Sequence, residues 1–227
     1  MIFSVDDITQ RVKTIIDNNI NSEQLEEFED PDTLSLNDII HSKIEEAAKT
    51  VILLAPHRLL GKGKEVEPSI EQYDNFQNDS TPIKQQRYIL SLQEDFLRIV
   101  AIKHKGSPFI ITEVITEEQP QYKHIFSKYA GIAGNEDYPK AAFINNKNGR
   151  HLLICAQNID ITKSIEYFFY IPIPKITNNS IDIPEQLYNA TTYYIAYLTA
   201  ITLSNANIAA ALLNNAYAQM EIQTNNK

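Results

Sequence analysis

The sequence predicts an α+β chain, a helical bundle drawn from both ends of the polypeptide with a β-rich middle segment inserted between them. Three observations predict it. Apolar residues recur at helical spacing from Ile8 to Ile16 and from Ile39 to Val51. From Arg87 onward the apolar runs are short, rich in β-branched and aromatic residues, and separated by turn residues. Between Glu185 and Glu221 lie 35 residues without a single charge, carrying apolar stripes of helical period. The expected division is residues 1–84 and 181–227 for the bundle and 85–180 for the β-rich insert.

Ser4 can cap a first helix, and Asp6 and Asp7 set negative charge at the positive end of its dipole. Ile8, Val12, Ile15 and Ile16 form its apolar face, and Asn18-Asn19 ends it. Residues 22–34 are acidic, with Asp30-Pro31-Asp32 as a turn. A second helix starts at Ser35 with the stripe Ile39, Ile40, Ile44, Ala47, Ala48 and Val51. The run Val51 to Ala55 widens that stripe to nearly the whole circumference, which predicts burial in a bundle or at a subunit contact. Pro56 sets the stop. Residues 61–84 show no period and are expected to be loop. Gly61-Lys62-Gly63-Lys64 lacks the spacing of a phosphate-binding loop and follows no strand, so it reads as a flexible connection.

Strands are expected over Arg87 to Leu92 and Phe96 to His104. Phe109-Ile110-Ile111 continues the second after the turn Lys105-Gly106-Ser107-Pro108. Tyr122, Ile125, Phe126 and Tyr129 give residues 117–130 a helical character. Ala141 to Asn145 and His151 to Ala156 read as a hairpin around Asn146-Lys147-Asn148-Gly149. Ile165 to Ile173 is a last strand, demoted at its far end by Pro172 and Pro174. A helix then opens at Ile183-Pro184-Glu185, with Asp182 as its cap. Leu187, Thr191, Tyr194, Leu198 and Ile201 form one stripe, and Tyr193, Tyr197 and Ala200 a second beside it. Ser204-Asn205-Ala206-Asn207 interrupts the pattern before Ile208, Leu212, Ala216 and Met220 continue it.

Composition narrows the function classes. The net charge is −9, and it is local: residues 1–80 hold 17 acids and 7 bases, the remainder 12 acids and 13 bases. No basic stripe of the kind that releases phosphate counterions is present, the longest clusters being Lys62/Lys64 and Lys103/Lys105. An acidic surface serves solubility, and near DNA it repels the phosphates. A membrane span is not expected, because Asn189, Asn205, Asn207, Asn214 and Asn215 break up the charge-free segment. Met1 to Thr14 has no apolar h-region, so no secretory leader is expected. The one cysteine, Cys155, sits four residues after His151 in an apolar run and reads as a core residue. Glu94/Asp95, Glu117/Glu118 and Glu136/Asp137 read as solvated turn acids rather than as carboxylates opposed across a substrate. His41, His57, His104, His124 and His151 have no metal-ligand spacing. No catalytic residue, cofactor or metal is therefore expected.

Gln93-Glu94-Asp95-Phe96-Leu97-Arg98-Ile99-Val100 resembles the strand opening of head–tail connector proteins of short-tailed bacteriophages. Thr112-Glu113-Val114-Ile115, then Glu117-Glu118, Pro120 and Tyr122, follow in the order seen in such proteins. Gly131 to Pro139 leading into Ala141 to Ile144, and Ile183-Pro184-Glu185 before Tyr193-Tyr194-Ile195-Ala196, extend the likeness over roughly residues 87–220. The nearest resemblance is to the virion ring proteins of crAss-like phages. The tryptophan common after this opening is replaced by Lys105-Gly106-Ser107. The resemblance implies a non-enzymatic virion neck protein, assembled in the host cytoplasm. Its copies would close a homo-oligomeric ring, usually twelvefold, beneath the portal protein. That ring would extend the channel through which double-stranded DNA passes without specific binding, and would dock the downstream tail or ring proteins.

On that reading Tyr193, Tyr194, Tyr197, Leu198 and Ile201 are the expected subunit interface, because the charge-free helices need more neighbours than one chain supplies. Asn214, Tyr217, Met220 and Ile222 are the expected portal contact, and Asn214 to Lys227 are expected to order only against a partner. Two other classes stay open at this point: a virion-associated cell-wall hydrolase using Glu94 or Glu136, and a non-viral scaffold or partner-binding protein.

Overall fold

The computed structural model describes residues 1–18, 35–67, 69–76, 85–105, 107–127, 129–135, 137–146, 149–157 and 165–222. The acidic run with its expected turn at Asp30-Pro31-Asp32 lies outside the described residues, as do Gly106, Glu136, Lys147 and Asn148. In chain order the elements are β1 (Ile2–Ser4), α1 (Val5–Asp17), α2 (Leu36–Leu54), β2 (Lys64–Glu65), β3 (Ile70–Phe76), β4 (Gln85–Ser91), β5 (Phe96–His104) and β6 (Ile110–Ile111). There follow the one-turn helices α3 (Tyr122–Ile125) and α4 (Ala130–Ala133), then β7 (Lys140–Asn146), β8 (Gly149–Gln157), β9 (Ile165–Pro172), β10 (Ser180–Asp182), α5 (Tyr188–Thr202) and α6 (Ala206–Gln219). The chain is α+β and divides into two compact units, one of Met1–Gly61 with Ile173–Lys227, the other of Lys62–Pro172.

In the helical unit the sequence signals act locally as chemistry requires. The Ser4 hydroxyl accepts from the Asp6 amide at 3.2 Å, and the Ser35 hydroxyl accepts from the Asp38 amide at 3.3 Å. α1 buries Ile8, Val12, Ile15 and Ile16, and α2 buries Ile40, Ile44, Ala47, Ala48, Val51 and Ile52. The widened end of α2 is closed over only partly, since Leu53 and Leu54 stay exposed. Asp182 does not cap the following helix. It accepts from the Met1 ammonium at 2.7 Å, while β1 pairs with β10 and Phe3 stacks on Tyr188. The chain instead enters α5 through a single 3₁₀ turn, Glu185–Leu187, behind Pro184.

α5 packs against α1, α2 and α6. Its buried face is Ala190, Thr191, Thr192, Ile195, Ala196, Thr199 and Ala200, which corrects the stripe read from the sequence. Tyr194 and Leu198 are only half-buried, and Ile201 is exposed. Small side chains win the centre because they let three helices approach closely. The buried threonines add no unpaired hydroxyl: Thr191 donates to Leu187 O at 2.8 Å and Thr199 to Ile195 O at 2.9 Å. α6 is capped by Asn205, whose side-chain oxygen accepts from the Ile208 amide at 3.4 Å, and it buries Ala209, Leu212 and Ala216.

The β unit is a pair of four-stranded antiparallel sheets, ordered β2-β9-β5-β6 and β3-β4-β8-β7. Alternate side chains from both sheets meet in one core of Tyr88, Leu90, Ile99, Ile102, Leu152, Ile154, Phe168 and Tyr170. The other face of the second sheet, with Ile89, Ala142, Ile144, Leu153 and Cys155, is covered by Ile115, Tyr122 and Ile125. A parallel bridge between Ile115 and Ala142 holds that cover in place.

Three expectations change here. Residues 61–84 contain β2 and β3 rather than loop alone, which moves the division between units to Gly61 and Lys62. The apolar residues of β3, Ile70, Tyr73 and Phe76, recur every third position, so no alternation shows; a bulge between Gln72 and Asp74 resets the register. The helical character of 117–130 reduces to α3 and the start of α4, with Ile125 buried but Phe126 and Tyr129 exposed. Gly63 is no free hinge either. Its φ is +71°, and a Cβ there would meet Tyr170 O at 2.7 Å, so glycine lets β2 lie against β9.

Candidate interaction surface

Tyr193, Tyr194, Tyr197, Leu198 and Ile201 stand one and three positions apart in turn, which places them on one flank of α5. The first four are half-buried and Ile201 is exposed. The Tyr194 and Tyr197 rings meet edge to face, 5.2 Å between centroids. Burial pushes the Tyr194 hydroxyl up, with Tyr197, Tyr217 and Glu46 adding to the shift, so that hydroxyl stays protonated. The helical packing thus covers the small-residue face of α5 and leaves an uncharged aromatic and aliphatic flank partly open.

The four residues expected to meet a portal separate. Asn214 is exposed, Tyr217 and Ile222 are half-buried, and Met220 is fully buried. The Met220 side chain therefore serves the chain's own packing and presents no outer contact. Asn214 to Gln219 completes α6, and of the segment expected to order against a partner residues 223–227 lie outside the described residues. α6 ends in a Schellman arrangement in which Glu221 takes φ +56° and the Ile222 amide donates to Tyr217 O at 2.9 Å. The Glu221 carboxylate is ion-paired with Arg58.

Cys155 and Asp95 are engaged in structure. The Cys155 thiol donates to Ile125 O at 3.6 Å, and burial pushes its pKa up to about 12 against the opposing pull of Arg87 and Lys140. His151 lies on the same face of β8, but four strand positions span about 13 Å, too far for a nucleophile and its base. Asp95 accepts from the Tyr170 hydroxyl at 2.7 Å and from Lys64 Nζ at 3.1 Å. This cluster ties β2, β9 and the turn before β5 together, and burial followed by the hydrogen bond to Asp95 raises the Tyr170 hydroxyl, so it stays protonated.

Glu117 and Glu118 line an open cleft of about 480 Å³ with Thr116, Phe143, Asn145 and Arg150. Both carboxylates come from one turn, and the Arg150 guanidinium lies 3.8 Å from the centre of the Phe143 ring. Glu94 is exposed. Among the described residues no cluster of three metal-ligating side chains occurs, and no helix is long and apolar enough to cross a membrane.

The sequence reading passed over a second surface. Phe109, Ile110, Phe126, Tyr129, Ile132 and Tyr138 all lie exposed on the β unit. Two of them, Phe109 and Tyr138, stand beside a proline, in Pro108-Phe109 and Tyr138-Pro139, outside the strands. No protein-family model matches the chain, and no curated protein matches its sequence.

Proposed function

We propose that this chain is a structural subunit that joins copies of itself in a closed ring of the phage head–tail connector type. It would lie under the portal protein, extend the DNA channel and give the tail a docking surface. The observation that carries the proposal is the α5 flank. Helices α1, α2 and α6 cover the small-residue face of α5, yet an uncharged run of tyrosine, leucine and isoleucine is left partly open beside it. Such a flank suits a permanent contact, whose centre is depleted of charge and rich in aromatic side chains. The acidic balance of residues 1–80 suits a surface that repels passing phosphates. The roles of Cys155, Asp95 and Tyr170 as packing and tethering groups fit a subunit whose work is mechanical.

Electron cryo-microscopy of virion necks with this chain traced in the density tests the proposal. A ring of copies with the α5 flank buried between them is the expected result. A solitary folded copy absent from every neck overturns it.

A further inference from the structure

The sheet β3-β4-β8-β7 ends on one side at β7, and the outer edge of that strand is covered over only part of its length. Ile115 bridges to Ala142 in the parallel sense. Two bonds flank the bridge: the Ile115 amide donates to Ala141 O at 2.9 Å, and the Phe143 amide donates to Ile115 O at 3.0 Å. Beyond Ile115 the chain turns away. The Gln119 amide donates to Thr116 O at 3.0 Å, and the Gln119 side chain accepts from the Thr116 amide at 3.3 Å. β7 itself runs on to Asn146. Main-chain groups alternate between the two edges of a strand, so those of Asn145 point the same way as those of Ala141 and Phe143. Phe143 O and the Asn145 amide therefore face the edge where the bridge has ended. Here lies the cleft of about 480 Å³, lined by Thr116, Glu117 and Glu118 from the turn and by Phe143, Asn145 and Arg150 from the hairpin.

We propose that this edge takes an extended peptide segment of a partner protein, added as a short parallel strand, with a lysine or arginine side chain in the cleft. The assignment stands independently of the ring reading above. Three observations carry it. The first is the bond pair made by Ile115, which the ligand repeats one register further along. Its amide donates to Phe143 O, and its carbonyl accepts from the Asn145 amide. The fold already holds one extended segment on this edge by the same clasp. The second observation is room. The cleft falls within the range of about 300–1,000 Å³ found for binding clefts, so a side chain of the added strand has a place to enter. The third is charge. The lining holds two acids and one base, and the base is engaged: the Arg150 guanidinium lies 3.8 Å from the centre of the Phe143 ring. The exposed carboxylates of Glu117 and Glu118 then set the sign of the cleft. A cationic side chain is attracted there, and a carboxylate or phosphate is repelled. A bare strand edge pairs with any extended chain, and acids beside it select a basic one.

Fluorescence polarisation of the purified full chain with labelled hexapeptides tests this. The probe alternates valine and threonine around one central lysine. One control carries glutamate in place of the lysine, and a second carries methyl groups on alternate main-chain amides. The lysine probe is expected to bind with a Kd below about 1 mM, and each control to bind about tenfold more weakly or worse. Glu117→Gln with Glu118→Gln, both exposed, is expected to weaken the lysine probe about tenfold and to flatten its salt dependence. Asn145→Pro removes one outward N–H from an edge strand and leaves the pairing with β8, and is expected to weaken the probe about tenfold. Should that variant lose the wild-type circular dichroism, the methylated control reads the same bond from the ligand side. A lysine probe that does not bind at about 1 mM overturns the proposal. Equal or tighter binding of the glutamate control also overturns it, and gives the cleft to an anion on Arg150. Undiminished binding of the methylated control, or undiminished binding by folded Asn145→Pro, removes the added strand. Undiminished binding by the double glutamine variant removes the selection for a basic partner.

Discussion

Asp95 shows how one side chain stitches distant strands. Partial burial works to raise its carboxyl, but the Tyr170 hydroxyl and the Lys64 ammonium outweigh it and hold the pKa below the ordinary 3.8. The folded value lies under the unfolded one, so the group contributes stability above the unfolded pKa and loses it as the pH falls through the folded value. Asp95→Asn is expected to lower the melting temperature at neutral pH and to flatten its decline below about pH 4. Melting profiles of the two proteins from pH 2 to pH 7 check this, and an identical acid limb would count against the tether. The dipeptide Glu94-Asp95 reads as two solvated turn acids, which holds for exposed Glu94. Asp95 differs because its partners lie 31 and 75 residues away, and no local pattern records such a meeting.

At the scale of elements, the turn between α5 and α6 rests on few groups. Ser204 takes φ +57°, the Asn205 amide donates to Ala200 O at 2.9 Å, and the Asn205 side chain caps α6. Asn205→Ala is expected to cost about 1 kcal/mol in urea denaturation, and Asn205→Asp to retain most of that stability. Helix ends of this kind were legible, because a cap and its amide lie within a few residues of each other. Faces were less so. The tyrosines of α5 look as suitable for a core as Ala196 or Thr199 do, and the close approach of three helices chose the smaller set. β3 was illegible for a different reason, its bulge having erased the period by which a strand is recognised.

On the proposed ring reading, the α5 flank governs how the whole molecule meets its copies. Leu198 is half-buried in the single chain, so Leu198→Asp is expected to leave the fold intact by circular dichroism and to abolish self-association. An unpaired charge in a buried contact costs about 3–5 kcal/mol, enough to weaken association more than a hundredfold. Sedimentation of wild type and variant at matched concentration reads this directly, and unaltered association would remove the flank from the interface.

The α+β class, the first two helices with their serine caps, the middle strands from Arg87 to Ile173 and the break at Asn205 follow from residues near one another in the chain. Caps, turns and periodic faces are short-range physics, and the sequence displays them openly. The strands within 61–84, the second anchoring of Asp95, the inner face of α5 and the burial of Met220 depend on which elements pack together. Those outcomes come from competition for limited core space between residues far apart in the chain, and that competition is resolved only when the chain has folded.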